Sequence, residues 1–166
     1  MDAPPGVLVT VLVTGSRHYH DREQIRRALT FDHTGAWWAC QLDGRAPRYQ
    51  LVQGACPMRT VRGTSEPGSA DWLATNAARR LGWTIARRPG GDRDGWPADW
   101  DTHGKRAGMI RNQEMVDWVL TQDGVKLCIG FPTRSSVGTY DCMERARAAG
   151  IPTWDWSALT GTLRAL

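Results

Sequence analysis

Three stretches of this chain read as buried β-strands, and each stops on a polar loop that contains glycine. The first is the apolar run 7–13, ending in Thr14-Gly15-Ser16-Arg17; the second is Leu51-Val52, ending in Gln53-Gly54-Ala55. The third is 127–129, ending in Gly130-Phe131-Pro132 and running on to Ser135-Ser136-Val137-Gly138-Thr139. Strands without polar alternation are covered on both faces, as in a parallel sheet between two helical layers. In such a sheet the carboxyl ends of the strands share one edge, and ligands bind in the crevice there. The three loops are therefore expected to converge. Glycine lets backbone N–H groups approach a ligand closely, and a helix starting just after the loop adds its partial positive charge. The expected ligand carries phosphate.

Strand and helix patterns alternate along the rest of the chain. Residues 21–30 suit a helix with Ile25, Ala28 and Leu29 on one side, whereas 31–48 is rich in Gly and Trp and suggests no more than a short helix at 36–42. The segment 54–67 is polar and has no periodicity. After Ser69, the residues Ala70, Leu73, Ala74, Ala77 and Leu81 recur at helical spacing and Gly82 supplies a C-terminal cap. A short strand at 83–86 leads into a second polar loop, 87–101, with Pro89-Gly90-Gly91 and with Trp83, Trp96 and Trp100 in or near it; a loop this long suits a lid over a ligand. A helix from 102 or 103 to 120, a strand at 126–129, a helix at 139–149 ending on Gly150, and a last strand at 152–154 complete the order βαβαβαβα with a terminal strand. The predicted fold class is α/β: a single Rossmann-like, doubly wound domain with a mostly parallel sheet.

Composition narrows the function classes. With 166 residues and 41% hydrophobic content the chain can build one ordinary core. It has no apolar run of membrane-spanning length, and Met1-Asp2-Ala3-Pro4-Pro5 lacks the basic-then-apolar layout of a signal peptide, so a cytoplasmic protein without a membrane partner is expected. The four cysteines are scattered, which indicates neither a zinc site nor a disulfide framework. A net charge of +4 and a pI near 9.2 favour anions. The 21 basic residues include only two lysines and never run longer than two together, unlike a nucleic-acid patch, so nucleic acid is not the expected partner. His18-Tyr19-His20-Asp21 is too weak a pattern for a metal, and no metal or cofactor is expected. Gly15-Ser16 is neither a dinucleotide fingerprint nor a Walker loop, and Ser135-Ser136 has no nucleophile elbow around it.

The helix near residue 110 holds an anomaly. Met109, Val116 and Val119 define an apolar stripe, and Asn112 falls inside it, three after 109 and four before 116. A buried amide has to be paired. Arg111 flanks the stripe and reads in two ways: as a solvated arginine beside a capped loop, or as an anion clamp reaching toward the sheet edge.

Together, Val13-Thr14-Gly15-Ser16-Arg17, Gly54-Ala55-Cys56-Pro57, Ala70-Asp71-Trp72-Leu73-Ala74, Pro97-Ala98-Asp99-Trp100, Gly108-Met109-Ile110-Arg111-Asn112-Gln113-Glu114-Met115-Val116, Phe131-Pro132 and Gly138-Thr139-Tyr140-Asp141 resemble the YspA/YpsA-related branch of the SLOG superfamily, common in actinobacteria and their phages. The resemblance runs from about Val7 to Pro152. It implies a Rossmann-like domain that binds a nucleotide or nucleotide-derived ligand, as a sensor or sequestering module. The same superfamily contains the LOG phosphoribohydrolases, which release a base by cleaving an N-glycosidic bond, and the DprA single-stranded DNA binders; these are the alternatives.

Carried onto this chain, the resemblance makes Arg111 the LOG arginine, Gly138-Thr139 the phosphate-binding pair, and Asp141 the counterpart of the LOG glutamate, one methylene shorter. Arg134-Ser135-Ser136-Val137 stands where LOG proteins have Pro-Gly-Gly, and the segment 54–67 separates two motifs that branch members join directly. The ligand-binding residues expected from loops and resemblance are Gly15, Ser16, Arg17, Gly54, Ala55, Asp71, Arg111, Asn112, Gly130, Phe131, Pro132, Gly138 and Thr139. Arg111 and Asp141 would be the catalytic pair of a hydrolase. Relatives of this fold commonly pair through helices beside the pocket, so a homodimer using Trp118, Val119 and Leu120 is expected.

Overall fold

Val7–Gly15 forms the central strand, β1, of a five-stranded parallel sheet in the computed structural model, which describes residues 6–30, 35–61 and 63–160. Met1-Asp2-Ala3-Pro4-Pro5 and residues 31–34 of the Gly- and Trp-rich stretch lie outside the described residues. The other strands of this sheet are β2 (Pro47–Val52), β5 (Thr84–Ile85), β6 (Val125–Phe131) and β7 (Thr153–Asp155), in the spatial order β5-β2-β1-β6-β7. The chain moves outward from β1 through β2 to β5, then returns to the other side of β1 for β6 and β7. The order thus reverses between β1 and β6, where Val13 pairs with Ile129 and Gly15 with Phe131. Such a reversal leaves a crevice at the carboxyl ends of the two strands.

Alternate residues of β1 enter two cores. On one face Val9, Val11 and Val13 pack with Ile25 and Leu29 of α1 (Arg22–Leu29), Leu73 and Ala74 of α3 (Ala70–Arg80), and Trp156 of α7 (Trp156–Thr160). On the other, Leu12 joins Met115, Val116 and Val119 of α5 (Ala107–Leu120) with Cys142 and Met143 of α6 (Val137–Ala148). Burial of each large aliphatic side chain contributes about 1.5 to 3 kcal/mol, so coverage of both faces drives the layered arrangement. The fold class is therefore the α/β, Rossmann-like one. Among the described residues no helix is long and apolar enough to cross a membrane.

Several elements depart from the sequence reading for identifiable reasons. The helix expected over 102–120 is broken: α4 (Trp100–His103), capped by the Asp99 side chain on Thr102 N–H at 3.0 Å, stops at Gly104, whose φ of +53° suits glycine. A 3-10 turn, Gly104–Arg106, then leads into α5. This break sets the phase of α5, so that Ala107, Asn112, Met115, Val116 and Val119 face inward while Met109 is 44% exposed. Val119 is wholly buried and leaves the surface expected for dimerisation; Leu120 is exposed. Leu81 is the exposed C-cap of α3 rather than part of its core face. The short helix expected at 36–42 is α2 (Gly35–Cys40), and α6 begins at Val137 rather than 139. Inside the segment without periodicity, β3 (Arg59–Thr60) and β4 (Pro67–Gly68) form a small antiparallel hairpin.

The loop expected as a lid is fastened to the sheet. Gly95 N–H donates to the Ala86 carbonyl and Trp96 N–H to that of Gln53, both at 2.9 Å, and the Trp96 ring is buried against Trp118 at 5.0 Å. These bonds tie the Gly95–Trp96 part of the loop to the ends of β2 and β5.

Candidate functional site

A cavity of about 700 Å³ opens where the sheet order reverses. Its walls are residues 13–18 after β1, 54–57 after β2, and 135–139 at the start of α6, with Arg93, Pro97, Ala98 and Trp100 from the fastened loop. The convergence of three loops at one edge follows from the parallel sheet itself. Four arginines (Arg17, Arg59, Arg93 and Arg111) and one carboxylate, Asp71, are among the lining residues, so the charge there favours anions. Among the described residues no group of three or more His, Cys, Asp or Glu is placed to hold a metal ion.

Gly15 is required by packing. A Cβ there would collide with the Cβ of Ala70 and lie 3.0 Å from the Phe131 carbonyl oxygen, so glycine brings β1 against the start of α3. The next residue begins a chain of hydroxyls. Thr133 Oγ1 donates to Ser16 Oγ at 3.0 Å and contacts Ser136 Oγ at 3.1 Å; Ser136 Oγ accepts the Thr133 N–H at 2.7 Å. Since the Thr133 hydroxyl proton goes to Ser16, Ser136 must donate to Thr133. Ser16 Oγ also accepts the His18 N–H at 3.0 Å, so both of its lone pairs are used. Its own proton has no acceptor among the described residues, and Ser16 lines the cavity.

This arrangement also leaves α6 without a side-chain cap, although the Val137 and Thr139 N–H groups donate to the Ser135 and Ser136 carbonyls, both at 3.1 Å. The side chains of Asp21, Ser69 and Asp99 cap α1, α3 and α4, whereas Ser136 makes no cap bond to its own helix because its hydroxyl is engaged by Thr133. Gly138 and Thr139 lie in that first turn and line the cavity. A Cβ on Gly138 would meet nothing within 4 Å, so packing does not require glycine at this position.

On the opposite wall Arg111 reads as neither of the two sequence alternatives alone. It lines the cavity, yet its Nη1 donates to the Gly54 carbonyl and, at 3.2 Å, to that of Trp96. A Cβ on Gly54 would fall 2.6 Å from the Arg111 guanidinium carbon and 3.0 Å from Asp71 Oδ2, so glycine makes the seat for that cation. Asp71 is 5% exposed and accepts the Cys56 N–H at 3.0 Å. Burial pushes its carboxyl above the ordinary aspartate value, and the pull of Arg111 and of the Cys56 and Gly54 backbone only partly offsets this.

Asn112 faces the other way. Its Nδ2 donates to the Gly138 carbonyl and to Asp141 Oδ2, both at 3.0 Å, and its Oδ1 accepts the Arg111 Nε at 3.2 Å. The buried amide is thereby satisfied, as its place in the apolar stripe requires. Asp141 takes a bidentate pair from Arg145, at 2.9 and 3.0 Å. Burial would raise this carboxyl, but Arg145 and Asn112 outweigh it and hold it below the ordinary value.

Of the expected ligand-binding residues, Gly15, Ser16, Arg17, Gly54, Ala55, Asp71, Arg111, Asn112, Gly138 and Thr139 line the cavity. Gly130, Phe131, Pro132 and Asp141 are not among its lining residues. Phe131 is wholly buried in the core, and a Cβ on Gly130 would strike Met143, so these two serve packing. Sequence reasoning missed His18, Arg59, Arg93 and the hydroxyl chain through Thr133. Ser135-Ser136 places part of that chain in the third loop at the sheet edge, but nothing local in the sequence pairs Ser136 with Thr133 and Ser16.

No protein-family model and no solved structure matches the chain. A stretch of 55 residues, 33% of the chain, is 51% identical to the Gene 61 protein of Mycobacterium phage D29 and takes in 40% of that relative's length.

Proposed function

We propose that this protein binds a nucleotide or nucleotide-derived ligand in the cavity at the carboxyl edge of the sheet, as a sensor or sequestering module of the SLOG kind. The observation that carries this reading is the start of α6 at the cavity wall, which lacks a side-chain cap, with Gly138 open and unconstrained by packing. The Val137 and Thr139 N–H groups already donate to the Ser135 and Ser136 carbonyls, so the Gly138 N–H is the first-turn donor left for a phosphate oxygen, with the helix dipole behind it. The Ser16 hydroxyl proton and the surrounding arginines add donors and positive charge. Trp100, 51% exposed at the rim, offers a face on which a base stacks. Hydrolysis of the LOG kind is the lesser reading, because the carboxylate it would use, Asp141, lies outside the lining and is held by Arg145.

Thermal melting with nucleoside mono- and diphosphates, ADP-ribose, NAD and cyclic dinucleotides tests this. At about 100 times its dissociation constant a true ligand stabilises the fold by about 2.7 kcal/mol, a shift of roughly 5 to 10 °C. Gly138→Ala fills the open space and is expected to remove that shift without lowering the unliganded melting temperature. Trp100→Ala is expected to weaken binding by about 1 to 3 kcal/mol. A panel in which nothing shifts the melting would overturn the reading. Release of free base during long incubations, detected by chromatography, would promote the hydrolase reading.

A further inference from the structure

A second cavity of about 410 Å³ adjoins the first, and the two share Ala55, Cys56, Asp71 and Arg93 along their boundary. Its most informative lining residue is Gln53, which is 4% exposed at the end of β2. Gln53 Oε1 accepts the Ala55 N–H, which fixes the amide orientation because Nε2 cannot accept a proton. Its backbone carbonyl takes the Trp96 N–H at 2.9 Å. A Cβ at residue 95 would lie 2.6 Å from Gln53 Nε2, so Gly95, with φ of +82°, makes room for this amide. The side chain is therefore held in one pose. Nε2 finds no acceptor among the described residues, and it is not one of the buried atoms sealed from solvent without a partner. Gln53 lines the second cavity with this donor unpaired by the protein and open to solvent, so an acceptor atom of a ligand there can take the place of water.

We infer that the ligand has two parts: a nucleotide in the first cavity, joined through its phosphates to a sugar or second nucleoside whose acceptor atoms meet Gln53 in the second. This rests on the phosphate-site reading above and deepens it. The second cavity falls in the size range of small-molecule sites. Partly buried Trp72 offers an apolar side, and Thr75, whose Oγ1 donates to the Asp71 carbonyl at 2.8 Å, keeps lone pairs for a hydroxyl. Arg93 lines both cavities, so a diphosphate link between the halves passes a cation.

Calorimetric titration tests the inference on the wild type and on Gln53→Glu, which keeps the acceptor for Ala55 N–H and replaces the free donor by a carboxylate oxygen. The probes are a nucleoside diphosphate, the corresponding nucleoside diphosphate sugar, and the pyrophosphate-linked dinucleotide of the same base. The wild type is expected to bind one of the two-part probes at least about tenfold more tightly than the diphosphate, and Gln53→Glu to erase that advantage while diphosphate affinity stays within about twofold. Which probe wins tells sugar from nucleoside. Equal wild-type affinities for all three would overturn the inference and leave the phosphate site standing, whereas binding of none would remove both. An advantage that survives Gln53→Glu also overturns it; if that variant fails to fold, the wild-type comparison alone decides.

Discussion

α3 carries Asp71 in its first turn and α6 carries Asp141 in its second, and α5 grips the two regions through consecutive residues. Arg111 reaches the α3 side, bonding the Gly54 carbonyl beside Asp71; Asn112 reaches the α6 side, bonding the Gly138 carbonyl and Asp141. Around Asp71 the structure keeps an open cavity, and burial leaves the carboxyl raised. Around Asp141 an arginine and an amide use both carboxylate oxygens and hold it ionised. Two carboxylates near the N-terminal ends of two helices, one turn apart in depth, thus have opposite surroundings: one faces a place for a ligand, and the other belongs to the framework of the opposite wall.

The largest effect is expected where both regions meet. Asn112→Ala leaves the Gly138 carbonyl and one Asp141 oxygen without their donor, a loss of about 1 to 3 kcal/mol or roughly 3 to 10 °C in melting temperature. Arg111→Ala is expected to cost less, because the carbonyls it frees border the cavity and water replaces its donors. Urea unfolding of the two variants at one pH ranks them, and the reverse order would break the assignment of Asn112 as the structural half.

The two aspartates should also separate by pH. With a folded value above the unfolded one, Asp71 keeps its proton in the fold after the unfolded chain has lost it, so stability falls as pH rises from the ordinary aspartate value to the raised one. Asp71→Asn removes this slope, which is at most about 1.4 kcal/mol per pH unit. Asp141 has the opposite sign: it contributes stability above the ordinary value, lost as pH falls through its lowered one. Asp141→Asn is the smallest change, costing about 0.3 to 1 kcal/mol at neutral pH and flattening the acid side. Stability curves between acid and neutral pH that change in the same sense for both variants would refute the contrast.

The parallel sheet was legible because Val7–Gly15 and Val125–Phe131 are mostly apolar without regular alternation and carry a glycine at or next to their ends, signals that lie within single strands; the spatial order of the strands has no such local signal. Asn112 was legible as a polar residue on a buried face, although the stripe that frames it contains Met115 rather than Met109. The break at Gly104 decides that phase, and a single glycine in an otherwise helical pattern does not announce its φ. Asp141 kept a place in the expected site because motif position says nothing of Arg145 one turn later competing for the same carboxylate. The hydroxyl chain joins Ser16 to Thr133 across 117 positions, and the Gln53 amide depends on a glycine 42 residues away; neither pairing leaves a local trace.

The adjacency of Arg111 and Asn112 bears on which changes of chain length the protein tolerates. Each residue turns a helix by about 100°, so one residue inserted or deleted in α5 before position 111 would swing both side chains off their two loops at once. In the hairpin of β3 and β4 the paired residues are few, and Arg59 and Thr60 are exposed, so added length would be taken up there at small cost in closure entropy. The spacing of the site is therefore written in α5, and sequence drift by insertion has room around the hairpin but none along that helix.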